Sequence, residues 1–575
     1  MKAHYRGPTS NDSPDILIDR LLHPPTNMIA VDTETVSLKD RTMLGFGIAI
    51  SPNEAYYIPV WPERSEIIEQ VYNLLVRDDI IKLGHNYNFD IGVLRQFAVV
   101  SNVDYPDVIN IHDTGIMANV SALEPDLHTL AYKYSDTGLA LFTIPQLLQE
   151  ARDTTGKRNV NMMDVDPEKI AIKCMNDVRT TYSIFGGLTA QLTPQTLDCY
   201  QVDRELLGKL KTIERKGLKL NEQRVEERYI ALSNELEFYE DWGTEHGFKI
   251  SSPAQVGMFL GYNNIVLPTT KSGRQLDTSE ETLQRHSHNP LVKTILEYRK
   301  LAKILSTYVE PFRRQERAYT HFRLDLATGR LASLSEECTD HVCRNQQNIP
   351  SDMRSIFEPD NDEFTWSDMS NLEMRVIAYI TKDPVLNKAY QDGISIHEVT
   401  FKSIFPQLKY DKNSAEYVLA KTFNFAMVFD ATDSTLASQC GIKVATAKKW
   451  KQTWFSTYPG VYKWMIEQQN TNSEYEETIF GRRMRIPPDY ERGKHHANTC
   501  RINYGPQGGG ADLNKRAILK LWKAGFLTED NFRLQVHDEI LQDGKYKDEF
   551  PHELVSNIHP DIYIPWEVKQ GKVWI

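Results

Sequence analysis

Apolar residues recur along this chain in two rhythms. Runs broken by single polar positions read as strands: residues 27–38 (NMIAVDTETVSL), and the head of residues 364–380 (FTWSDMSNLEMRVIAYI), which then passes into a helix. Residues 534–543 (LQVHDEILQD) read as a hairpin, with Asp538 and Glu539 near its turn. Helical spacing marks residues 84–94 (GHNYNFDIGVL), 170–182 (IAIKCMNDVRTTY) and 415–430 (AEYVLAKTFNFAMVFD). In the last of these, Tyr417, Lys421, Phe425 and Phe429 fall four apart and line one slowly winding face. A lysine inside an aromatic stripe has two readings. It either snorkels from an ordinary core helix, or it belongs to a surface that grips a flat, anionic ligand.

The polar interruptions of these apolar segments are carboxylates. Asp32 and Glu34 lie two apart, so a strand projects both from one face. Such a pair repels unless a cation sits between the two groups, and oxygen-only ligands favour Mg²⁺ or Mn²⁺. Without a cation, the same pair is a polar strand end in water. Asp90 opens a helical pattern and Asp177 sits on a predicted helix. Asp368 stands at the end of a strand, where an aspartate ordinarily caps a helix.

Bulk composition alters this picture only at its edges. A chain of 575 residues exceeds a single core and implies about three or four domains. With 41% hydrophobic and 25% charged residues it has an ordinary soluble, globular composition. No run approaches the roughly 20 apolar residues of a membrane span, and the N-terminus lacks the apolar core of a signal peptide. Six cysteines without a CxxC pair suggest reduced thiols, hence a cytoplasmic protein, in the host cytoplasm if viral. The net charge of −12 opposes nucleic-acid binding only if it is evenly spread. Basic stripes at 209–220, 299–303, 447–454 and 481–485 show that it is not.

Taken together, the acids resemble two known arrangements. Asp32, Glu34, Asp90 and Asp177 resemble the DEDD family of 3′–5′ exonucleases, in which they hold two divalent metals; Asn86 matches that family's asparagine four residues before the third acid. Asp368, the helix at 415–430 and Asp538 resemble motifs A, B and C of the family-A DNA polymerases. Further matches run nearly the whole chain from about residue 27, among them TIERKGLKLN (212–221), ATGRLAS (327–333), QNIP (347–350), DGISIHEVT (392–400), ETIFGRRMRIP (477–487) and QGGGADLNKRA (507–517).

The resemblance implies residue roles. Asp368, Asp538 and the Met369 carbonyl would hold two Mg²⁺ ions (Mn²⁺ substituting), with Glu539 secondary near the primer end. Glu373 would exclude a ribose 2′-hydroxyl. Lys421 and His397 would face the triphosphate, Phe425 the incoming sugar and Phe429 the templating pair. Arg330, Asn348, Asn503, Gln507 and His537 would meet primer-template DNA, as would Arg482 and Arg483 of the basic GRRMR stretch.

Several positions depart from the family pattern. Lys173 stands where proofreading enzymes carry a water-orienting tyrosine. Tyr417 replaces an arginine aimed at the γ-phosphate, and Lys412 lies about half a helical turn away from taking its place. Phe429 replaces a tyrosine, Ala426 and Asp430 replace glycines, and Arg501 lies two residues nearer Asn503 than the usual arginine. An inserted stretch at 336–343 brings Cys338, His341 and Cys343; with no fourth metal ligand in view, a surface loop is expected.

The expected fold is multidomain, α/β and α+β. An RNase H-like exonuclease domain (1–190) precedes a right-hand polymerase: thumb and connecting helices (191–320), palm with an antiparallel sheet (321–390 and 491–575) and helical fingers (391–490). The expected activity is primer extension from dNTPs on primer-template DNA, with proofreading, in DNA replication. Economy of length suggests a phage enzyme without a 5′-nuclease domain. The protein is expected to be monomeric, with no membrane partner and with a helicase, primase or processivity factor as candidate partners. Two alternatives stay open: a polymerase-fold DNA-binding protein with weak or lost polymerisation, and a single-subunit RNA polymerase.

Overall fold

The computed structural model describes residue 20 and residues 23–38, 40–60, 65–101, 108–135, 141–270, 272–337 and 342–575. Cys338 and His341 of the insertion lie outside these residues, whereas Cys343 is buried on a short strand.

The N-terminal region is built on a five-stranded sheet, formed by β1 (Met28–Thr35), β2 (Met43–Ser51), β3 (Glu54–Pro59), β4 (Ile81–Gly84) and β5 (Ile111–Asp113). Their order is β3-β2-β1-β4-β5, with β1–β3 antiparallel and β4 and β5 parallel to β1. This is the RNase H-like arrangement the motifs implied. Helix α1 (Tyr87–Ser101) carries Asp90 in its first turn. Helix α2 (Pro167–Gln191) starts cleanly, with Pro167 at its first position and the Asp166 carboxylate accepting from the Glu168 N–H.

Glycine decides how closely α2 approaches the sheet. Asp32 and Glu34 pair across the ladder with Gly47 and Gly45. A Cβ at Gly47 would lie 2.8 Å from Cys174 Sγ, so only glycine lets α2 settle against the acid-bearing strand.

Helix α3 (Pro194–Lys216) leads away from this region and packs against the C-terminal half, and α4 (Glu222–Glu245) packs with α5 (Pro290–Ile304) beyond it. The second sheet is antiparallel, ordered β7-β8-β6-β9 from β6 (Phe364–Met369), β7 (Phe532–Val536), β8 (Glu539–Asp543) and β9 (Trp566–Gly571). Helix α6 (Leu372–Thr381) follows β6 directly.

A helical layer holds α7 (Ile396–Ile404) and α8 (Ala415–Val428), with Ser414 Oγ capping α8 at the Tyr417 N–H. Phe423, Met427, Trp454 and Tyr458 form its core. The 30-residue helix α9 (Lys494–Lys523) then returns beside the second sheet. Among the described residues no helix is long and apolar enough to cross a membrane.

Candidate active sites

In the N-terminal region, Asp32, Glu34, Asn86, Asp90 and Lys173 line one cavity of about 1010 Å³. Its far wall is supplied by His321, Arg323 and Asp325, from a hairpin that precedes the second sheet, so the cavity is a cleft between two parts of the chain. Asn119 Nδ2 donates to the Asp325 carbonyl at 2.9 Å and helps fix that wall. Asp177 joins the cluster through Lys173, whose Nζ donates to both Glu34 Oε1 and Asp177 Oδ2 at 2.8 Å.

The electrostatics follow from burial. Burial and the neighbouring Asp90 raise the Asp32 carboxyl well above its ordinary range, and burial raises that of Glu34 against the pull of Lys173. Asp90 is pushed up to about 7 by burial, although Thr33 opposes this by donating its N–H at 2.8 Å and its hydroxyl at 2.6 Å. Burial also works against the Lys173 charge, but Glu34, Asp177 and Asp32 outweigh it and hold the ammonium well above the usual lysine range. The Lys173 ammonium is thus held between the carboxylates of Glu34 and Asp177.

Sequence reasoning missed the residues that hold these groups in place. Asp113 is buried and accepts backbone N–H bonds from Asn86, Tyr87, Gly115 and Ile116 at 2.7–3.1 Å, fixing the approach to α1. It does so from the end of β5, reaching the turn where Asn86 lies in the left-handed region at φ 60°. Ligand atoms of Asp32, Glu34 and Cys174 lie within 4.8 Å of one another. Burial pushes the Cys174 thiol well up, leaving a neutral thiol beside the carboxylates. The working donors are thus carboxylate oxygens, which fit a hard divalent cation.

On the second sheet, Asp368 lies across the ladder from Glu539, and the Met369 N–H donates to the Asp538 carbonyl at 3.3 Å. Asp538 sits in the β7–β8 turn, after His537 at φ 55°. Burial and then Asp368 push Asp538 up to about 8, and burial raises Asp368. A pair of buried carboxyls offering only oxygen donors also fits a hard divalent ion.

Beside this pair, Arg330, Glu373, Phe425, Phe429, Gln507 and His537 join Asp538 around a cavity of about 380 Å³. Arg330 and Glu373 form an ion pair within it. Glu539 is held from behind, accepting from Arg354 at 3.2 Å and from Trp574 Nε1 at 2.9 Å. Those two positioning residues carried no motif in the sequence.

On the helical layer, Lys421 is exposed and has no ion-pair partner among the described residues. His397 is buried and depressed to about 4, first by burial and then by Lys421, so its ring is neutral. The proton's location follows from Asn424, a fully buried residue the motifs did not single out. Its Oδ1 accepts from Trp454 Nε1 at 2.7 Å and from Thr400 Oγ1 at 2.8 Å. Its amide nitrogen therefore faces His397 Nδ1, at 3.0 Å. An acceptor at Nδ1 assigns the hydrogen to Nε2, leaving that atom as a donor.

Two of the side chains expected at ligands are buried here. Tyr417, expected at the triphosphate, is only 9% exposed and packs among Phe401, Tyr410 and the His397 ring. An aromatic ring on an otherwise apolar helical flank gains more from burial than from facing water. Arg482, expected on DNA, is 0% exposed: it bonds Asp203 of α3 at 2.8 and 3.0 Å and Asp512 of α9 at 2.7 Å. Lys515 bonds Asp203 as well, at 2.6 Å. A guanidinium between two buried carboxylates is a joint between segments. Of that basic pair only Arg483 reaches the surface, where it pairs with Glu477. Asn348 is exposed, while Asn503 Oδ1 is buried without a partner; neither these two nor Arg483 lines the cavity.

An acid-lined RNase H-like sheet followed by an antiparallel sheet with paired carboxylates defines the fold class: an exonuclease-type domain ahead of a right-hand polymerase-type domain. A family model described as DNA polymerase family A matches residues 215–569, and one described as 3′-5′ exonuclease matches residues 5–193. The chain belongs to DNA polymerase family A. It is 27% identical over 583 residues to DNA polymerase I of Borreliella burgdorferi, covering 95% of this chain and 61% of that protein. To DNA polymerase I of Streptococcus pneumoniae it is 35% identical over 332 residues, covering 53% of this chain and 36% of that protein.

The chain thus spans about 61% of the length of its first relatives. The fold is similar to the POL domain of Pol1 from M. smegmatis, a structure in complex with DNA primer-template and dNTP. The TM-score is 0.73 at 18% identity, over 98% of this chain and 99% of that one.

Proposed function

We propose that this chain is a template-directed DNA polymerase that extends a primer 3′ end and carries a 3′–5′ exonuclease. The observation that carries the reading is the placement of Asp368, on the strand paired with Glu539, beside Asp538 in the adjoining turn, with Asp538 in a cleft walled by Glu373, Phe425 and Phe429. Asp368, Asp538 and the Met369 carbonyl would hold Mg²⁺, which supplies activation of the primer hydroxyl and neutralisation of the triphosphate when bound.

The chain's own residues do the rest. Lys421 and the His397 Nε2–H offer a charge and a hydrogen bond to the phosphates. Phe425 and Phe429 offer flat apolar faces to sugar and base. Glu373, fixed by Arg330, occupies space that a 2′-hydroxyl would need. Asn348, Asn503, Gln507, His537 and Arg483 remain proposed contacts to primer-template DNA. The buried, partnerless Asn503 Oδ1 supports such a role, because an orphan acceptor awaits a donor.

Asp32, Glu34, Asp90 and Asp177 would hold the metal of the exonuclease, with Asn86 at the entering strand. The named relatives are bacterial, and the phage assignment, which rested on length, gains no support from them.

Primer extension tests the reading. With Mg²⁺ and dNTPs a primed template lengthens; without dNTPs the same primer shortens from its 3′ end. A primer that lengthens with ribonucleotides as readily as with dNTPs would overturn the deoxynucleotide assignment, and no lengthening with either would overturn the polymerase itself.

A further inference from the structure

Lys173 occupies an unusual place for a side chain. It projects from α2 one turn before Asp177, and its ammonium sits midway between two carboxylates of different elements, 2.8 Å from each. All three groups are nearly buried, with side-chain exposures of 10% for Lys173, 5% for Glu34 and 13% for Asp177. A divalent ion shared by Glu34 and Asp177 would have to stand where Nζ stands. The opposite side of the cluster differs. There Asp32 and Glu34 converge on Cys174 with no cation between them, and Asp90 turns one oxygen to Thr33.

We propose that the Lys173 ammonium is the permanent second cation of the exonuclease site, so that its four carboxylates take up one divalent ion rather than two. This rests on the exonuclease reading of those acids. Charge supports it. Four carboxylates and one ammonium leave a formal −3, which one divalent ion reduces to −1; a second ion would reverse the sign and crowd an ammonium already held between two carboxylates. The glycine at position 47 works in the same direction, because it brings α2 near enough for a side chain of lysine's length to reach Glu34.

Counting bound Mn²⁺ on the full chain, by electron paramagnetic resonance during titration, tests the proposal. The Asp32→Ala chain is expected to bind one Mn²⁺ fewer than wild type. Lys173→Met, which keeps the length and removes the charge, is expected to bind one more. Loss of two ions in Asp32→Ala, or an unchanged count in a folded Lys173→Met chain, overturns the inference. Because the Asp32→Ala comparison uses the native lysine, it decides the matter even if Lys173→Met does not fold. An unchanged count in Asp32→Ala overturns instead the reading of these acids as a metal site, and the inference with it.

Discussion

The two acid clusters of this chain answer the same electrostatic problem in different ways. In the N-terminal cleft a lysine from the neighbouring helix lies between two of the four carboxylates, so part of the site's charge is compensated before any metal binds. In the palm the neighbouring cations are engaged elsewhere, Arg354 with Glu539, Arg330 with Glu373 and Lys569 with Glu567, and burial raises both aspartates. Buried carboxylates cannot stay both charged and alone. A site therefore carries its own cation, holds a proton, or awaits a metal, and these two regions adopt different solutions on neighbouring sheets.

The sharpest way to break this comparison is to remove one acid from each site. Asp538→Ala should lower primer extension by about 10²–10³-fold and leave primer shortening intact. Asp32→Ala should do the reverse, both read on labelled primers. Crossed effects would mean that the two clusters are not separate centres.

The joint between the regions comes next. Arg482→Met leaves Asp203 and Asp512 short of a partner and should cost about 3–5 kcal/mol in denaturant unfolding. Arg483→Met, at a surface pair, should cost about 0–1 kcal/mol. Equal losses would make Arg482 an ordinary surface residue.

Tyr417→Arg separates a vacant phosphate position from a packed interior. The ring's burial predicts a loss of about 1–3 kcal/mol with no fall in the dNTP KM. A clear fall in KM would show that an arginine there reaches the nucleotide.

The pH dependence of the metal-free chain bears on the palm site alone. Asp538 titrates near 8 when folded and near 3.8 when unfolded, so the folded state binds the proton more tightly. Its contribution is present in full below the unfolded value and is lost as pH rises through about 8. Thermal midpoints should fall over that window, less so in Asp538→Asn, and Mg²⁺ should restore them at the alkaline end. The N-terminal site, with Lys173 in place, should show the weaker metal dependence of the two.

Much of this was legible from residue order. The strand at 27–38, the helices at 84–94, 170–182 and 415–430 and the hairpin at 534–543 correspond to β1, α1, α2, α8 and the β7–β8 pair, because each carries a strong local period and a clear cap or turn. The family resemblance named the acids and their order. What it could not reach were residues whose work depends on distant partners: Asp113 gathering four N–H groups, Asn424 choosing the His397 tautomer, and Trp574 holding Glu539 from the far end of the chain.

By itself, then, the sequence determined which carboxylates and aromatic residues this protein has available and the order of elements that carry them. These are local properties: periodicity, capping and spacing act within a few residues. Only the tertiary structure decided that Lys173 sits between two carboxylates, that Tyr417 packs inward and that Arg482 is buried between Asp203 and Asp512. Each outcome depends on which groups meet after folding, since the cost of burying a charge or a ring is set by its neighbours in space and not by its place in the chain.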